Sequence, residues 1–455
     1  MTREVFPATS ARTRPSAAGL AWILLLCSAG AVQGQTLITE TTWGGAGADI
    51  ATGVARAADG SVYLVGTTDS FAVDPFGNPA PRGYIVKLTN GAVAWQRIWN
   101  GPTIVGGADW SVAAASDGSV YLAGTTADNG LDAALVKFDS NGNLLWERIW
   151  GGVEADAAQA VATHTDGSVY LVGRTTSFPT GSAGLFVVKF DATGNTVWQK
   201  VWDGAASGEG AAVTTDGSVY AAGSIIRAPG DLAEFDILTL KLTSGGTLTW
   251  ARTYAAGEVV DVRGGMAAAS DGSVYLAGAI QAPAGGGIVS IAALIVKLSP
   301  DGNLLFDRLC CTKSGDTAEG VVVGADGSVH VAGTTTVLGA GNQDSFVVRL
   351  QPTGKKVTGA ATWGTSTGFE TGGGVAVGTD GTVVLATTTT EPPPYSLQDA
   401  SVKLSSARGS ATATASGLAD VTGTVVDPAR GTTVPPGSTT FSGNFESALV
   451  SFTLP

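Results

Sequence analysis

The chain has 455 residues, of which 44% are hydrophobic, 14% are charged and 65 are glycine. A single core stops growing beyond about 250–300 residues, so this length needs several domains or a modular architecture. Sparse charge with abundant glycine is typical of short strands and tight turns, and a net charge of −13 excludes nucleic acid as an expected partner.

The first 34 residues have the layout of a secretory signal. Arg3, Arg12 and Arg14 precede an apolar run, Leu20–Cys27, and small residues follow up to Gly34. The apolar run is too short to span a bilayer, and no later segment has the pattern of a transmembrane helix. We therefore predict a signal peptide over residues 1–34 and a product that is periplasmic, extracellular or attached to the cell surface.

An internal repeat organises the rest of the chain. The dipeptide Asp-Gly, followed by Ser or Thr and then Val, occurs seven times at intervals of 49 to 58 residues. A period of this length predicts one four-stranded propeller blade per copy. The copies start at Asp59, Asp117, Asp166, Asp216, Asp271, Asp326 and Asp380.

The third copy shows the four strands most clearly. We predict them at Ala157–Thr163, Ser168–Gly173, Leu185–Phe190 and Thr196–Trp202. Asp166-Gly167 supplies the positive backbone angles of a two-residue hairpin between the first two strands. The second strand is almost continuously apolar, which indicates burial on both faces between neighbouring blades.

Aromatic and basic residues recur at fixed places in the outer two strands of the repeat. Fourth strands carry two aromatic residues four positions apart, such as Trp146 and Trp150, and we interpret them as packing between blades. We assign the cations of the third strands to the scaffold as well, because every copy has one. These cations are Lys87, Lys137, Lys189, Lys241, Lys297, Arg349 and Lys403.

The seventh copy lacks a fourth strand. Its third strand is predicted at Ala400–Leu404, and the missing strand is predicted at the other end of the chain, Thr36–Trp43. This arrangement closes the ring and leaves no open sheet edge. The propeller would then occupy residues 35–404. The Thr/Ser/Gly-rich extension 405–455 forms either a small β-appendage or a partly disordered tail.

Units such as Asp166-Gly-Ser-Val-Tyr-Leu-Val-Gly, with the later Phe-Val-Val-Lys-Phe and Asn-Thr-Val-Trp, resemble the bacterial β-propeller repeat family of the SBBP type. The resemblance covers residues 36–404. It implies an all-β, seven-bladed β-propeller and carries over no molecular function.

Acidic residues precede the Asp-Gly turns, mostly by ten positions. Since first strands line the channel of a propeller, these carboxylates are expected in a ring at its mouth, where they would bind calcium or a basic ligand. The alternative is that each acid accepts hydrogen bonds from backbone amides where its strand begins. The ring comprises Asp49, Asp109, Asp156, Asp261, Asp316 and Glu370; the fourth copy offers only Glu209.

Cys310 and Cys311 replace the Trp-Gly pair that ends the fourth strand in the third copy. Adjacent cysteines of an exported protein can form a vicinal disulfide, and such a ring accompanies the cofactor in quinone-dependent propeller dehydrogenases, whose tryptophan repeat is similar to Asp191–Trp198. The alternative is a local variant of the loop.

Ligand binding is expected where the longest loops gather, since divergent loops on rigid strands give this architecture its functions. These loops are Thr67–Gly83, Ser224–Phe235, Ala279–Ala292 and Thr387–Asp399. We predict a monomeric, non-catalytic binding or scaffold module for carbohydrate or protein, without a cofactor other than calcium. The alternatives are a propeller enzyme, either a polysaccharide lyase or hydrolase or a quinoprotein dehydrogenase, and a purely structural surface protein.

Overall fold

The repeats fold into seven antiparallel sheets arranged in a ring, as seen in a computed structural model of the chain. Every regular element among the described residues is a β-strand. The predicted signal, residues 1–34, lies outside the described part. Described are residues 35–454 apart from 72, 74–76, 79, 102–109, 128–129, 179–182, 205–206, 229–233, 256–258, 262–264, 286–287, 311–314, 340, 392–395, 400–401, 403, 406, 408, 415–416, 428–431 and 434–445.

Each blade begins at the central channel and ends at the outer edge of the ring. Blades one to three consist of Asp49–Arg56, Val62–Thr68, Arg82–Thr89 and Ala92–Trp99; Ser111–Ala114, Val120–Thr126, Asp132–Phe138 and Leu144–Gly151; and Asp156–Thr163, Val169–Thr175, Gly184–Phe190 and Thr196–Asp203. Blade four consists of Gly210–Val213, Val219–Ala228, Glu234–Leu242 and Leu248–Ala255. Blade five has a divided first strand, Val259–Asp261 and Met266–Ala268, then Val274–Gly285, Ile288–Leu298 and Leu304–Cys310. Blade six consists of Thr317–Val323, Val329–Thr335, Asp344–Leu350 and Val357–Gly364.

The Asp-Gly turns differ from the predicted two-residue hairpins. In blade three, Gly167 has a φ of 87° and its amide donates to the His164 carbonyl oxygen, while the His164 amide donates to the Ser168 carbonyl oxygen. This is a type I turn closed by a left-handed glycine, in which Asp166 keeps a negative φ. The aspartate instead accepts a hydrogen bond from the Ser168 amide at 2.8 Å, which explains its place in the repeat.

Apolar residues of the second and third strands fill the gaps between blades. Seven buried clusters each combine side chains from two neighbouring blades. Between blades two and three, for example, Leu135 and Trp150 pack with Leu171 and Phe186. The core is therefore a ring of equivalent layers, which is why the second strand has no polar face.

Blade seven is closed by both ends of the described chain. Its strands are Glu370–Val377, Val383–Thr389, Glu446–Thr453 and Thr36–Trp43, in that order across the sheet. The N-terminal strand completes the ring as predicted. The prediction of the third strand at Ala400–Leu404 is wrong: the third strand is Glu446–Thr453, and Leu404 pairs with Cys310 of blade five.

The chain crosses six blades between the second and third strands of blade seven. Residues 396–433, which we call the belt, add a short fifth strand to the outer edge of each of these blades, in the reverse of their sequence order. The extension predicted to begin at residue 405 thus contributes to six of the seven sheets, and the added strand of blade six lies before it. From blade six to blade one, the belt strands are Ser396–Asp399, Leu404–Ser405, Ser410–Ala413, Leu418–Asp420, Thr424–Val426 and Thr432–Thr433.

Two of the predicted loops are largely β-structure. Val219–Ala228 pairs with Glu234–Leu242, and Val274–Gly285 pairs with Ile288–Leu298, so the second and third strands of blades four and five extend as hairpins. These hairpins lie at the ends of the strands opposite the Asp-Gly turns. Among the described residues, blades four and five therefore have the longest paired strands on that face.

Candidate functional site

The central channel forms a cavity of about 610 Å³ that the first strands of all seven blades line. Much of its wall is glycine and alanine, as at Gly210, Gly320 and Gly372. Ligand pockets usually measure about 300–1,000 Å³ and present a few polar groups that fix orientation. The channel has the size of such a pocket.

One position in the repeat brings three polar side chains to the channel. Four first strands have a register shift near their start, and the residue in that bulge lines the cavity. A β-bulge adds one unpaired residue and thereby re-aims a side chain. The four bulge residues are Thr52, Gln159, Glu319 and Gly373.

The bulge side chains differ in their hydrogen bonding. Thr52 Oγ1 bridges blades one and two, donating to the Trp110 carbonyl oxygen at 2.7 Å and accepting from the Trp110 amide at 3.0 Å. Glu319 accepts from Thr317 Oγ1 at 2.7 Å and from Thr334 Oγ1 at 2.9 Å. Gln159 Oε1 and Trp110 Nε1 are enclosed and have no hydrogen-bond partner among the described residues. Both atoms are shielded from solvent, so they are a buried acceptor and a buried donor beside the channel.

The predicted acidic ring does not line the cavity where the structure describes it. Asp49, Asp156, Asp316 and Glu370 are fully buried at the starts of their strands, beneath the connections between blades. Asp109, the side chain of Asp261 and Cys311 lie outside the described residues. Cys310 is buried at the end of blade five. Because Cys311 is not described, the predicted disulfide between the two cysteines stays a prediction.

The buried acids bind backbone and hydroxyl groups. Asp49 Oδ2 accepts from the Gly45 amide and from Ser70 Oγ, each at 2.7 Å. Asp156 repeats this arrangement with the Gly152 amide and Ser177 Oγ at the same distances. The hydrogen-bonding alternative therefore describes these acids, which hold the entry of the chain into the next blade.

The other two described acids follow the same rule with different donors. Asp316 Oδ1 accepts from the Thr336 amide at 3.1 Å, and Glu370 Oε2 accepts from the Thr365 amide at 3.2 Å. Burial raises the pKa of Glu370, and it raises that of Asp316 to about 6. Removal from water disfavours the charged form of these carboxyls more than their hydrogen bonds favour it.

Asp132, at the start of the third strand of blade two, lies close to Asp156. A Cβ atom on Gly151 would be 2.1 Å from Asp132 Oδ1 and 2.8 Å from Asp156 Oδ2, so the glycine leaves room for both carboxyls. Burial, with the negative charge of Asp156, raises the pKa of Asp132 to about 6. Burial and the neighbouring negative charge therefore both favour the neutral form of Asp132.

We expect Asp132→Asn to raise the melting temperature at pH 7.5 and to flatten its dependence on pH between 5 and 7.5. A folded-state pKa above the unfolded value stabilises the fold at low pH, and that contribution is lost as the pH rises through about 6. Asp326→Asn is the control of opposite sign. Bonds from the Ser328 hydroxyl and amide, and from Arg349, lower the pKa of Asp326 to about 2, so losing this charge should destabilise the protein at pH 7.5.

The same melting curves test whether calcium binds these carboxyls. Calcium that binds the Asp132–Asp156 pair should raise the melting temperature at pH 7.5 in the original chain and not in Asp132→Asn. A response that survives the substitution, or a pH profile that the substitution leaves unchanged, would contradict this assignment.

The recurring cations hold neighbouring blades together. Lys137 Nζ and Trp146 Nε1 of blade two both donate, at 3.1 Å, to the Ala192 carbonyl oxygen in a turn of blade three. Lys137 also lies 5.1 Å from the Tyr121 ring centroid, within cation–π range. Blades one, three and four repeat this clamp, so the scaffold interpretation of the third-strand cations is confirmed there. Lys403 lies outside the described residues, and the third strand of blade seven has Ser451 in its place.

A second set of contacts joins consecutive fourth strands. Trp99 Nε1 donates to Glu147 Oε2 at 2.6 Å, and Trp150 Nε1 donates to Gln199 Oε1 at 2.8 Å. The acceptor lies three residues before the equivalent aromatic residue of the next blade. The predicted role of these tryptophans in packing between blades is confirmed, and each also makes a hydrogen bond.

A family model described as a domain of unknown function (DUF5122) beta-propeller matches residues 115–144 and 324–356. Both matches cover the second and third strands of one blade with the turns on either side. The chain is a β-propeller repeat protein. A search of curated proteins finds no match to this repeat protein.

Similar solved structures include the polysaccharide lyase Uly1, with 10% identity, a TM-score of 0.46 and 94% of each chain covered. The endosialidase of phage phi92 has 11% identity and a TM-score of 0.37, covering 78% of this chain and 64% of its own. A protein of unknown function from Bacteroides caccae has 10% identity and a TM-score of 0.34, with coverages of 62% and 97%. None of these likenesses bears on what the repeat protein binds. In the described ranges, no helix has the length and apolar character to cross a membrane.

Proposed function

We propose that the chain is an extracytoplasmic propeller of the bacterial β-propeller repeat type that binds a carbohydrate in its central channel, without catalysing a reaction. One observation carries the proposal. The bulge position of the first strand holds a hydroxyl, an amide, a carboxylate or glycine in different blades, whereas most charged positions elsewhere recur. Chemical variety on a repeated frame is how a propeller acquires a specific ligand.

The recurring charged groups support a binding role over a catalytic one. The turn aspartates bind amides within their own turns, and the third-strand lysines bind carbonyl oxygens of the next blade. A hydrolase or lyase needs groups of different kinds converging on one pocket, one to stabilise charge and another to move a proton. Most charged side chains are instead committed to the scaffold.

The charge of the channel suggests the class of carbohydrate. Glu209 and Glu319 are the ionisable side chains among the described lining residues, and both are acidic. A polyanionic sugar would meet like charge in a partly enclosed site, which is unfavourable. Neutral or amino sugars, whose hydroxyl and ammonium groups donate to carboxylate and amide oxygens, fit this lining better.

Location outside the cytoplasm is part of the proposal, supported by the basic, apolar and small-residue order of residues 1–34. Glycans of a cell envelope or an extracellular matrix would then be the accessible ligands. A protein ligand on the hairpin face is the other outcome that binding experiments can distinguish.

We expect the purified protein to bind neutral or amino glycans on an array. Glu319→Gln should weaken that binding about tenfold or more, since hydrogen bonds to charged groups contribute about 1.5–3 kcal/mol. Glu154→Gln is the matched control, because Glu154 is exposed on a connection outside the cavity. Titration calorimetry of both variants with the best array ligand measures the difference.

The same preparations should show no lyase or hydrolase turnover on polysaccharides and no quinone-dependent dye reduction. Turnover that Glu319→Gln or Gln159→Ala abolishes would replace the binding role with an enzymatic one. Folded protein that binds neither glycan nor protein would favour a purely structural role.

A further inference from the structure

The belt meets the ring once every seven residues. In each of six blades, one belt residue pairs with the last aromatic position of the fourth strand. Consecutive belt residues of this kind are seven residues apart. The interval is constant although the propeller repeats themselves differ in length. The paired residues are Leu397 with Trp363, Leu404 with Cys310, Ala411 with Tyr254, Leu418 with Trp202, Val425 with Trp150 and Thr432 with Trp99.

Two of these contacts join the belt to two blades at once. The Gly423 amide donates at 2.7 Å to Gln199 Oε1 of blade three, the atom that also accepts from Trp150 Nε1 of blade two. Fourteen residues earlier, the Gly409 amide donates at 2.7 Å to Asp307 Oδ2 of blade five, which also accepts from the Tyr254 hydroxyl of blade four at 3.1 Å. The belt therefore lies across the boundaries between blades and shares their hydrogen-bond acceptors.

Glycine is required where the belt crosses the aromatic rings. A Cβ atom on Gly423 would lie 2.4 Å from Trp150 Nε1, and one on Gly409 would lie 2.3 Å from the Tyr254 hydroxyl oxygen. Both glycines stand two residues before the paired position of their repeat. At these two contacts the close approach occurs in the same register of the belt.

Ion pairs follow the same interval. Asp420 pairs with Lys200 of blade three, and Asp427, seven residues later, lies 3.3 Å from the Arg148 guanidinium of blade two. Both acids follow their paired belt residue by two positions, and both cations precede the paired aromatic residue by two. Exposed pairs of this kind contribute little stability, but they distinguish one register from another.

We propose that the belt is a strap whose seven-residue repeat matches the ring, and that it keeps the blades from separating at their outer edges. Opening any boundary between blades one and six requires the belt to be stripped from that boundary first. The strap thus acts on the rate at which the ring opens, a property separate from ligand binding in the channel.

Two deletions test the match between belt and ring. Deleting residues 412–418 removes one whole repeat, so Val425 and Thr432 move to the positions of the preceding contacts and keep their register. Deleting residues 414–416 shifts every later contact by three, which turns each side chain to the other face. We expect unfolding in guanidinium to be at least about tenfold faster for the three-residue deletion than for the seven-residue deletion. Equal rates, or the reverse order, would overturn the proposal.

Point substitutions keep the test valid if a deletion prevents folding. Leu418 is half-buried and packs on the core between blades three and four, whereas the next residue, Ala419, is exposed. Leu418→Asp should speed unfolding about tenfold and open the belt to protease, and Ala419→Asp should do neither. An unfolding rate unaffected by Leu418→Asp would show that the belt does not hold the ring.

Discussion

A chain that ends at residue 445 should lose the closed ring. The missing strand, Glu446–Thr453, lies between Val383–Thr389 and Thr36–Trp43, and seven of its eight residues are buried. Each of its large apolar residues contributes roughly 1.5–3 kcal/mol when buried, and Leu449, Val450 and Phe452 are all lost. We expect calorimetry to show a melting temperature lowered by about 20 °C, or no cooperative transition at all.

Complementation with a peptide distinguishes loss of this strand from general damage. A synthetic peptide of residues 446–454 can occupy the slot between the two exposed edges, as an added strand does in other sheets. It should restore the melting transition, whereas a peptide of the same composition in scrambled order should not. Normal melting of the truncated chain would contradict the assignment of the strand. If the truncated chain melts early and the peptide does not restore it, the strand stabilises the ring only when it is covalently part of the chain.

Trp99→Phe should destabilise the fold by about 2–4 kcal/mol, because it removes the indole that donates to the buried Glu147 carboxylate. Trp150→Phe is the matched comparison, since its indole donates to the neutral amide of Gln199. Both substitutions change the packing in a similar way. Apart from that shared change, we expect Trp150→Phe to lower the free energy of unfolding by about 1 kcal/mol. Equilibrium unfolding in urea measures both losses.

A double-mutant cycle assigns the difference to the carboxylate. Adding Glu147→Gln to Trp99→Phe should cost much less than the sum of the two single substitutions, because the uncharged amide is less expensive to bury without this donor. Equal losses for the two tryptophan substitutions, or an additive cycle, would show that Glu147 does not depend on Trp99.

Most of the ring could be predicted because the repeat encodes it locally. The four strands of blade three lie within two residues of their predicted bounds, since the Asp166-Gly167 turn and the apolar runs both mark strand ends. The same pattern placed Thr36–Trp43 as a fourth strand, by its similarity to the strand ending at Trp150. Local turn chemistry and hydrophobic pattern decide these elements.

The rest of the ring depends on distant partners. Glu446–Thr453 carries a serine where other third strands carry lysine or arginine, and it follows the second strand of its blade only after the entire belt. Belt strands of two to four residues have no periodicity of their own. Ala400–Leu404 resembles a third strand because Lys403 matches the cation position of the repeat. The seven-residue spacing of the belt can be recognised only from its pairing with the outer strands of the blades.

The channel residues were missed for a related reason. The acids that begin the first strands could be located from their recurrence. Which later residues face the channel depends on whether they stand an odd or an even number of positions along the strand, because successive side chains point to opposite faces. The bulge inserts one residue and changes that parity, which brings Gln159 and Glu319 to the cavity. Each bulge residue follows its acid by three positions, and that spacing is the signal that could have found them.

The path of the chain through blade seven has a consequence for biosynthesis. Thr36–Trp43 is among the first strands to be synthesised, yet its partner in the sheet, Glu446–Thr453, emerges from the ribosome after every other strand described here. An interrupted translation product therefore keeps at least one unpaired edge, however well its other blades have formed. Such edges invite proteolysis and aggregation. Blade seven closes only after Glu446–Thr453 has been synthesised. Quality-control proteases can therefore distinguish chains that lack this strand, which have unpaired edges, from chains that contain it.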